Sequence, residues 1–316
     1  MSKVSPLASL KNNIARVILG KDETIEMVLV CLLARGHLLL EDVPGLGKTV
    51  LSKALCKSLG LGFKRVQCTP DILPSDITGI SVFNQQTSQF EFIRGPVFSN
   101  LLLCDEINRS TPRTQSALLE CMAESQVTVD GETYKLDDVF MVIATQNPCE
   151  FQGTFPLPEA QRDRFFMRLS LGYPDEASEL KMLSQQNVRH PLDSLTPVVS
   201  REKLVHLQGL VARVRVHPDV SRYISQIVRA TRGHEKIELG ASPRGSLALM
   251  KASQALALVR GRTFVTPDLV KELAKSVLSH RLITIHHDGD EILDDILSTL
   301  AVPTLNDSEL NHAGSA

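Results

Sequence analysis

A chain of 316 residues, 43% of them hydrophobic, is long enough for one or two domains with cores of their own. Its formal net charge of −2 excludes a molecule-wide attraction to nucleic acid or an anionic membrane. No apolar run reaches the ~18 residues of a membrane span and no apolar leader opens the chain, so no membrane insertion is expected and the protein is placed in the cytoplasm.

From the N-terminus to about residue 172, short apolar runs alternate with helical patterns. HLLL (37–40), FKRVQC (63–68), LLLCDE (101–106), VFMVIAT (139–145) and FMRLSL (166–171) are expected to be strands of a parallel sheet, buried on both faces. Strands that alternate with helices define an α/β layered domain. Two stretches interrupt the pattern. ISVFNQQTSQFEFI (80–93) carries apolar residues on both sides of NQQTS, and VTVDGETYKL (127–136) carries Asp-Gly between strand-like flanks; both read as hairpins.

After Gly172-Tyr173-Pro174 helical periodicity dominates. Ser242-Pro243 and Thr266-Pro267 each pair an N-cap residue with a proline at the first helical position. Between them Leu247, Leu249, Met250, Ala255, Leu256 and Leu258 suggest a broad apolar face. The expected organisation is an α/β domain over residues 1–173, a small all-helical domain over 174–305 and a polar tail over 306–316. Six cysteines (Cys31, Cys56, Cys68, Cys104, Cys121 and Cys149) show neither C-x-x-C nor zinc spacing, and read as reduced core thiols.

The segment LLLEDVPGLGKTVLSKAL (38–55) is a strand, a glycine-containing loop and a helix. It fits a phosphate-binding loop, in which glycines let backbone N–H groups turn toward a polyanion at a helix N-terminus. Val43, Pro44, Gly45, Leu46, Gly47, Lys48, Thr49 and Val50 are the candidate nucleotide-binding residues. Lys48 would neutralise the β- and γ-phosphates and the Thr49 hydroxyl would coordinate Mg²⁺. The generic motif begins with glycine; here that position is Asp42. Its carboxylate is expected to point away from the phosphates, on a backbone that tolerates the left-handed region.

NLLLCDEINR (100–109) supplies the partner motif. A buried strand ending in Asp105 and Glu106 sets two acids at the edge where open α/β sheets bind ligands. Asp105 would hold Mg²⁺ together with Thr49, and Glu106 would act as general base toward the attacking water. The next strand ends in Asn147, whose amide would orient that water or touch the γ-phosphate.

In this order the motifs resemble those of AAA+ ATPases. The blocks GHLLLEDVPGLGKT, LLLCDEINRSTPRTQSALLECMAESQVTVDG, ATQNPCEFQGTFPLPEAQRDRF and ASPRGSLAL resemble the MoxR family within the helix-2-insert group, over roughly residues 5–285. The resemblance implies an AAA+ P-loop NTPase domain followed by a helical lid. It implies Walker A residues Lys48 and Thr49, Walker B residues Asp105 and Glu106, and a sensor-1 residue in Asn147. It makes Arg164 the arginine finger that enters a neighbouring subunit's site, with Arg162 as an alternative two residues earlier, and it makes Arg244 sensor 2 on the lid. It further implies ATP and Mg²⁺ as cofactors, a homo-oligomeric ring, expected to be a hexamer, a protein client, and a partner with a von Willebrand A domain. The expected function is chaperone-like remodelling driven by ATP hydrolysis. A nucleotide-gated scaffold with little turnover and a DNA-acting motor are the alternatives. The near-neutral charge and scarce aromatics, 4% of residues, argue against nucleic acid.

Overall fold

The computed structural model describes residues 5–148, 153–186 and 191–304, apart from the side chains of Gln185 and Gln186. Cys149 and the tail over 306–316 lie outside the described residues. Helix α1 (Pro6–Ala15), capped by the Ser5 hydroxyl, and α2 (Asp22–Leu33) lead into β1 (Leu38–Glu41). There follow α3 (Lys48–Leu59), β2 (Phe63–Gln67), the short α4 (Pro74–Thr78), β3 (Gly79–Asn84), β4 (Gln89–Arg94) and β5 (Leu101–Asp105). Next come α5 (Pro112–Glu124), β6 (Gln126–Val129), β7 (Glu132–Lys135), β8 (Met141–Gln146), α6 (Glu159–Arg162) and β9 (Met167–Leu169).

Five of these strands form one parallel sheet in the order β2-β5-β8-β1-β9. The period of two along each central strand divides the interior into two cores. Leu38, Leu40, Leu101, Leu103, Met141 and Ile143 face α1, α2 and α3, whereas Leu39, Leu102, Cys104, Val142 and Ala144 face α5 and the hairpins. Strand β2 departs from the expectation of burial on both faces. It is the sheet edge, and of FKRVQ only Val66 is buried. Its polar residues are therefore free to serve the site.

Both expected hairpins are present. β3 and β4 pair antiparallel, as do β6 and β7 around Asp130-Gly131, both at positive φ as the turn requires. Phe92 of β4 stacks on Tyr134 of β7, so the two hairpins form one projection. Ile80, Val82, Phe83, Phe90 and Ile93 remain exposed on it.

The second half contains α7 (Glu176–Gln186), α8 (Arg201–Val211), α9 (Pro218–Arg232), β10 (Ile237–Leu239), α10 (Pro243–Val259), α11 (Pro267–Leu278), β11 (Ile283–Thr284) and α12 (Gly289–Thr299). It is not wholly helical: β10 and β11 form a short antiparallel pair. Ser242 caps α10 through its hydroxyl, but the Thr266 side chain makes no cap bond to α11, because its hydroxyl instead accepts a hydrogen bond from Arg262. The apolar face of α10 is broad, as expected, with Met250 and Leu258 packed at its margin and Leu247 outside it. Leu249, Ala252, Ala255 and Leu256 are buried, while Leu247 is exposed.

The helical half shares the first core with the sheet instead of forming a separate one; α10 packs against α2. Polar clamps join the halves as well. The buried Arg281 guanidinium pairs with Asp163 and donates to Phe165 O, and His280 also bonds Phe165 O. Arg168 on β9 reaches Glu41, Ser279 and Asp290. Cys31, Cys56, Cys68, Cys104 and Cys121 are free and buried, and burial raises the Cys56 and Cys121 thiols to about 12.

Candidate active site

The order of the sheet sets β5, β8 and β1 side by side, so their C-terminal ends gather Asp105, Glu106, Asn147 and the 42–49 loop. The loop continues β1: Asp42 N–H still bonds Gln146 O across to β8. Gly45 and Gly47 both have φ +90°, and a Cβ on either would meet nothing nearby. Their requirement is conformational, since a positive φ is strained for other residues. Gly47 is the N-cap of α3, which leaves that helix's first N–H groups directed at the loop.

Asp42 answers its own question. Its Oδ1 accepts from the Ser170 hydroxyl (2.6 Å) and Gly172 N–H (3.1 Å), and Oδ2 accepts from Leu171 N–H (2.8 Å). The carboxylate therefore points away from the loop and fastens its start to the segment after β9. The expected left-handed backbone is absent, as Asp42 is not among the residues with positive φ. Lys48 Nζ donates to Asp42 O at 2.7 Å. Burial lowers the Lys48 pKa, and the opposing pull comes from Asp42, Asp105 and Glu106. The cation thus sits within electrostatic reach of both acids of β5.

Those acids are closely held. Asp105 Oδ1 accepts from the Thr145 hydroxyl (2.6 Å), and Oδ2 accepts from Arg65 Nη2 (2.7 Å) and Nε (3.2 Å). Thr145 Oγ1 in turn accepts from Glu106 N–H at 2.8 Å. Glu106 has φ 57°, a strained left-handed conformation for a residue with a side chain. Its Oε2 accepts from Gln67 Nε2 at 3.0 Å and lies 3.4 Å from Arg109 Nη1. Thr145, Arg65 and Gln67 are site residues that sequence reasoning passed over. Thr145 was visible as the only hydroxyl in an apolar run. Arg65 and Gln67 are alternating polar residues in a strand whose length and flanks predict burial.

A cavity of about 470 Å³ adjoins the loop, lined by Ile18, Leu19, Pro44, Gly45, Leu171 and Met182 among others. Its size suits a nucleotide base and sugar. Thr49 and Asp105 offer a hydroxyl and a carboxylate, the hard oxygen donors that a Mg²⁺ ion takes.

Arg164 and Arg244 are not at this edge. They line a second cavity, of about 340 Å³, with Arg35, Gly36, His37 and Lys251. Gly36 and His37 precede β1, so this cavity opens at the strand starts, about 13 Å of β1 away from the phosphate loop. Arg164 is exposed, with Nη1 on Leu119 O at 2.8 Å. Arg244, in the first turn of α10, is 65% exposed and 4.0 Å from Asp163. Arg162 is more enclosed, its Nε buried with no hydrogen-bond partner among the described residues. The structure thus unites Lys48, Asp105, Glu106 and Asn147 at one edge and Arg164 with Arg244 at the other. It does not bring Arg244 to its own chain's loop.

Residues 37–167 match the model of the ATPase family associated with various cellular activities (AAA), and residues 229–298 match the AAA lid domain. The chain is 40% identical over 308 residues to Chaperone MoxR1 of Mycobacterium tuberculosis, covering 93% of this chain and 81% of that protein. It belongs to the MoxR family of AAA+ ATPases. It is also 49% identical to the uncharacterized protein YeaC of Bacillus subtilis, over 94% of this chain and 95% of that one. A solved structure from Cytophaga hutchinsonii, described as a candidate ATPase, superposes with a TM-score of 0.88 at 38% identity, covering 95% of each chain. The AAA+ fold, a parallel sheet with a helical lid, follows for this MoxR-family chain.

Proposed function

We propose that this MoxR-family chain binds ATP with Mg²⁺, hydrolyses it, and uses the cycle for chaperone-like remodelling or activation of a partner protein complex. The observation that carries the reading is the convergence of Lys48, Asp105 and Glu106 at the ends of β1 and β5, the two strands that flank β8. In this reading Val43–Val50 wrap the phosphates and Lys48 neutralises the γ-phosphate. Glu106 accepts a proton from the attacking water, and Asn147 orients that water. Thr49 and Asp105 would hold Mg²⁺, which supplies charge neutralisation on the phosphates when bound. Arg164, and with it Arg244, serves the nucleotide of a neighbouring copy, so the working form is a ring. Six members and a von Willebrand A partner rest on the family resemblance, and a cytoplasmic setting on the lack of any apolar run of membrane-spanning length. The domain boundaries at 173 and 305 likewise remain our reading. A chaperone role is supported by the name of the relative from Mycobacterium tuberculosis.

The test is ATP turnover and nucleotide affinity of three proteins. Glu106→Gln is expected to retain ATP binding and lose about 10²- to 10⁴-fold in kcat. Lys48→Ala is expected to lose ATP affinity. Turnover of Glu106→Gln at the wild-type rate would sink the hydrolytic reading in favour of a nucleotide-gated scaffold.

A further inference from the structure

Arg65 stands in the Mg²⁺ side of the site. Its Nε and Nη2 both donate to Asp105 Oδ2, which occupies the two acceptor directions of that oxygen. Oδ1 already accepts from Thr145, so little of Asp105 is left to ligate through. A divalent cation at Asp105 would also lie only a few ångströms from a guanidinium that is always charged. The same Arg65 Nη2 donates to Gln67 Oε1 at 2.7 Å. That bond sets the Gln67 amide with its NH₂ toward Glu106, where it donates to Oε2. One side chain on the edge strand therefore holds the metal-ligand candidate directly and the general-base candidate through Gln67.

We propose that Arg65 is a displaceable positioning residue: it competes with the divalent metal for Asp105, and its release on metal binding removes the bond that orients the Gln67 amide toward Glu106, which keeps its contact with Arg109. This rests on the reading of Asp105 as a metal ligand. The latch is built to open. Arg65 lies on the sheet edge and is 47% exposed, so its guanidinium can move into water without desolvation cost.

Mn²⁺ binding, followed by electron paramagnetic resonance in the presence of a non-hydrolysable ATP analogue, reads this competition without turnover. Arg65→Ala is expected to bind Mn²⁺ about tenfold more tightly than the wild type, because the lost competitor is a half-exposed charge-assisted pair. Arg65→Lys, with a charge but no fork, is expected to fall between them. Asp105→Asn is expected to lose the tight site in either background. Equal Mn²⁺ affinity in Arg65→Ala and wild type overturns the latch while leaving the metal site intact. So does a loss of analogue affinity in Arg65→Ala measured with chelator present, which would make Arg65 a phosphate contact. If the wild type itself binds no Mn²⁺ with the analogue, the reading of Asp105 fails first and the latch with it. Thermal unfolding of each variant separates these outcomes from misfolding.

Discussion

Asp42 shows how a residue that breaks a motif can be the reason the motif holds its shape. The generic glycine supplies backbone freedom, which this position does not use, since its φ is not positive. The carboxylate instead collects three donors from residues 170–172. Its own carbonyl accepts from Lys48. Asp42→Gly, which restores the generic motif, is therefore expected to weaken the protein. Burying Leu171 N–H and its neighbours without an acceptor costs about 2–4 kcal/mol. Urea unfolding measures that loss, and a fall in ATP affinity accompanies it as the loop's entry loosens. A change in stability within ~0.5 kcal/mol would show that water replaces the carboxylate and that Asp42 is incidental. The sequence made the anomaly visible but not its resolution, because the donors lie 128 to 130 residues further along the chain. The same holds for Arg65 and Thr145, each 40 positions from Asp105. Side-chain chemistry named Lys48, Asp105 and Glu106; only the sheet register named what holds them.

Elements were legible where local chemistry decides them. The Asp-Gly turn of β6–β7 and the Ser242-Pro243 start of α10 follow from backbone preferences that no distant contact alters. Elements were misjudged where burial decides. FKRVQC has the length of a core strand, yet its place at the sheet edge exposes Lys64, Arg65 and Gln67. Leu247 sits on the helical stripe of α10 but points into the arginine cavity. The β3–β4 hairpin depends on a different local feature, two glycines back to back at its base. Gly79 has φ +103°, and a Cβ there would collide with Ile93 O and Gly95 N; one on Gly95 would collide with Ile77 O. Gly79→Ala is expected to destabilise the hairpin by about 2–3 kcal/mol, since the strained φ and the clash act together. Hydrogen exchange of the β3 and β4 amides should then speed up, while the sheet amides of β1, β5 and β8 keep their protection. Unchanged exchange in the hairpin would mean that its base adjusts freely. Exchange raised equally everywhere would mean that the hairpin is integral to the main core.

At the scale of the whole molecule, the proposed function makes the two ends of the sheet strands carry halves of one chemistry. The phosphate edge has Lys48, Asp105, Glu106 and Asn147; the arginine edge has Arg164 and Arg244 in a cavity whose Asp163 is already paired with Arg281. Arg164, between α6 and β9, is fixed to the strand-start end of the α/β half, and a lid rotation large enough to carry Arg244 to its own chain's loop would tear Arg281 from Asp163, His280 from Phe165 O and Arg168 from Asp290, and would open a core shared by α2 and α10. Arg281, His280 and Phe165 are buried, and breaking one buried pair alone costs about 3–5 kcal/mol. On the proposed reading the arginines serve the γ-phosphate of another copy, through a head-to-tail contact that closes into a ring. Turnover per protomer is then expected to rise with protein concentration and to be lost in Arg164→Ala by about 10³-fold or more. Mixing supplies the decisive case. Arg164→Ala keeps its Glu106 and Glu106→Gln keeps its Arg164, so in an equal random mixture roughly a quarter of contacts bring an intact acid to an intact arginine. Neither variant turns over alone, yet the mixture is expected to recover a corresponding fraction of wild-type turnover. Recovery that is absent, with both variants folded and assembling, would place the arginine in its own chain's site or outside catalysis. Full activity of Arg164→Ala would pass the role to Arg162, the alternative finger two residues earlier, whose substitution in the same mixing design then gives the answer.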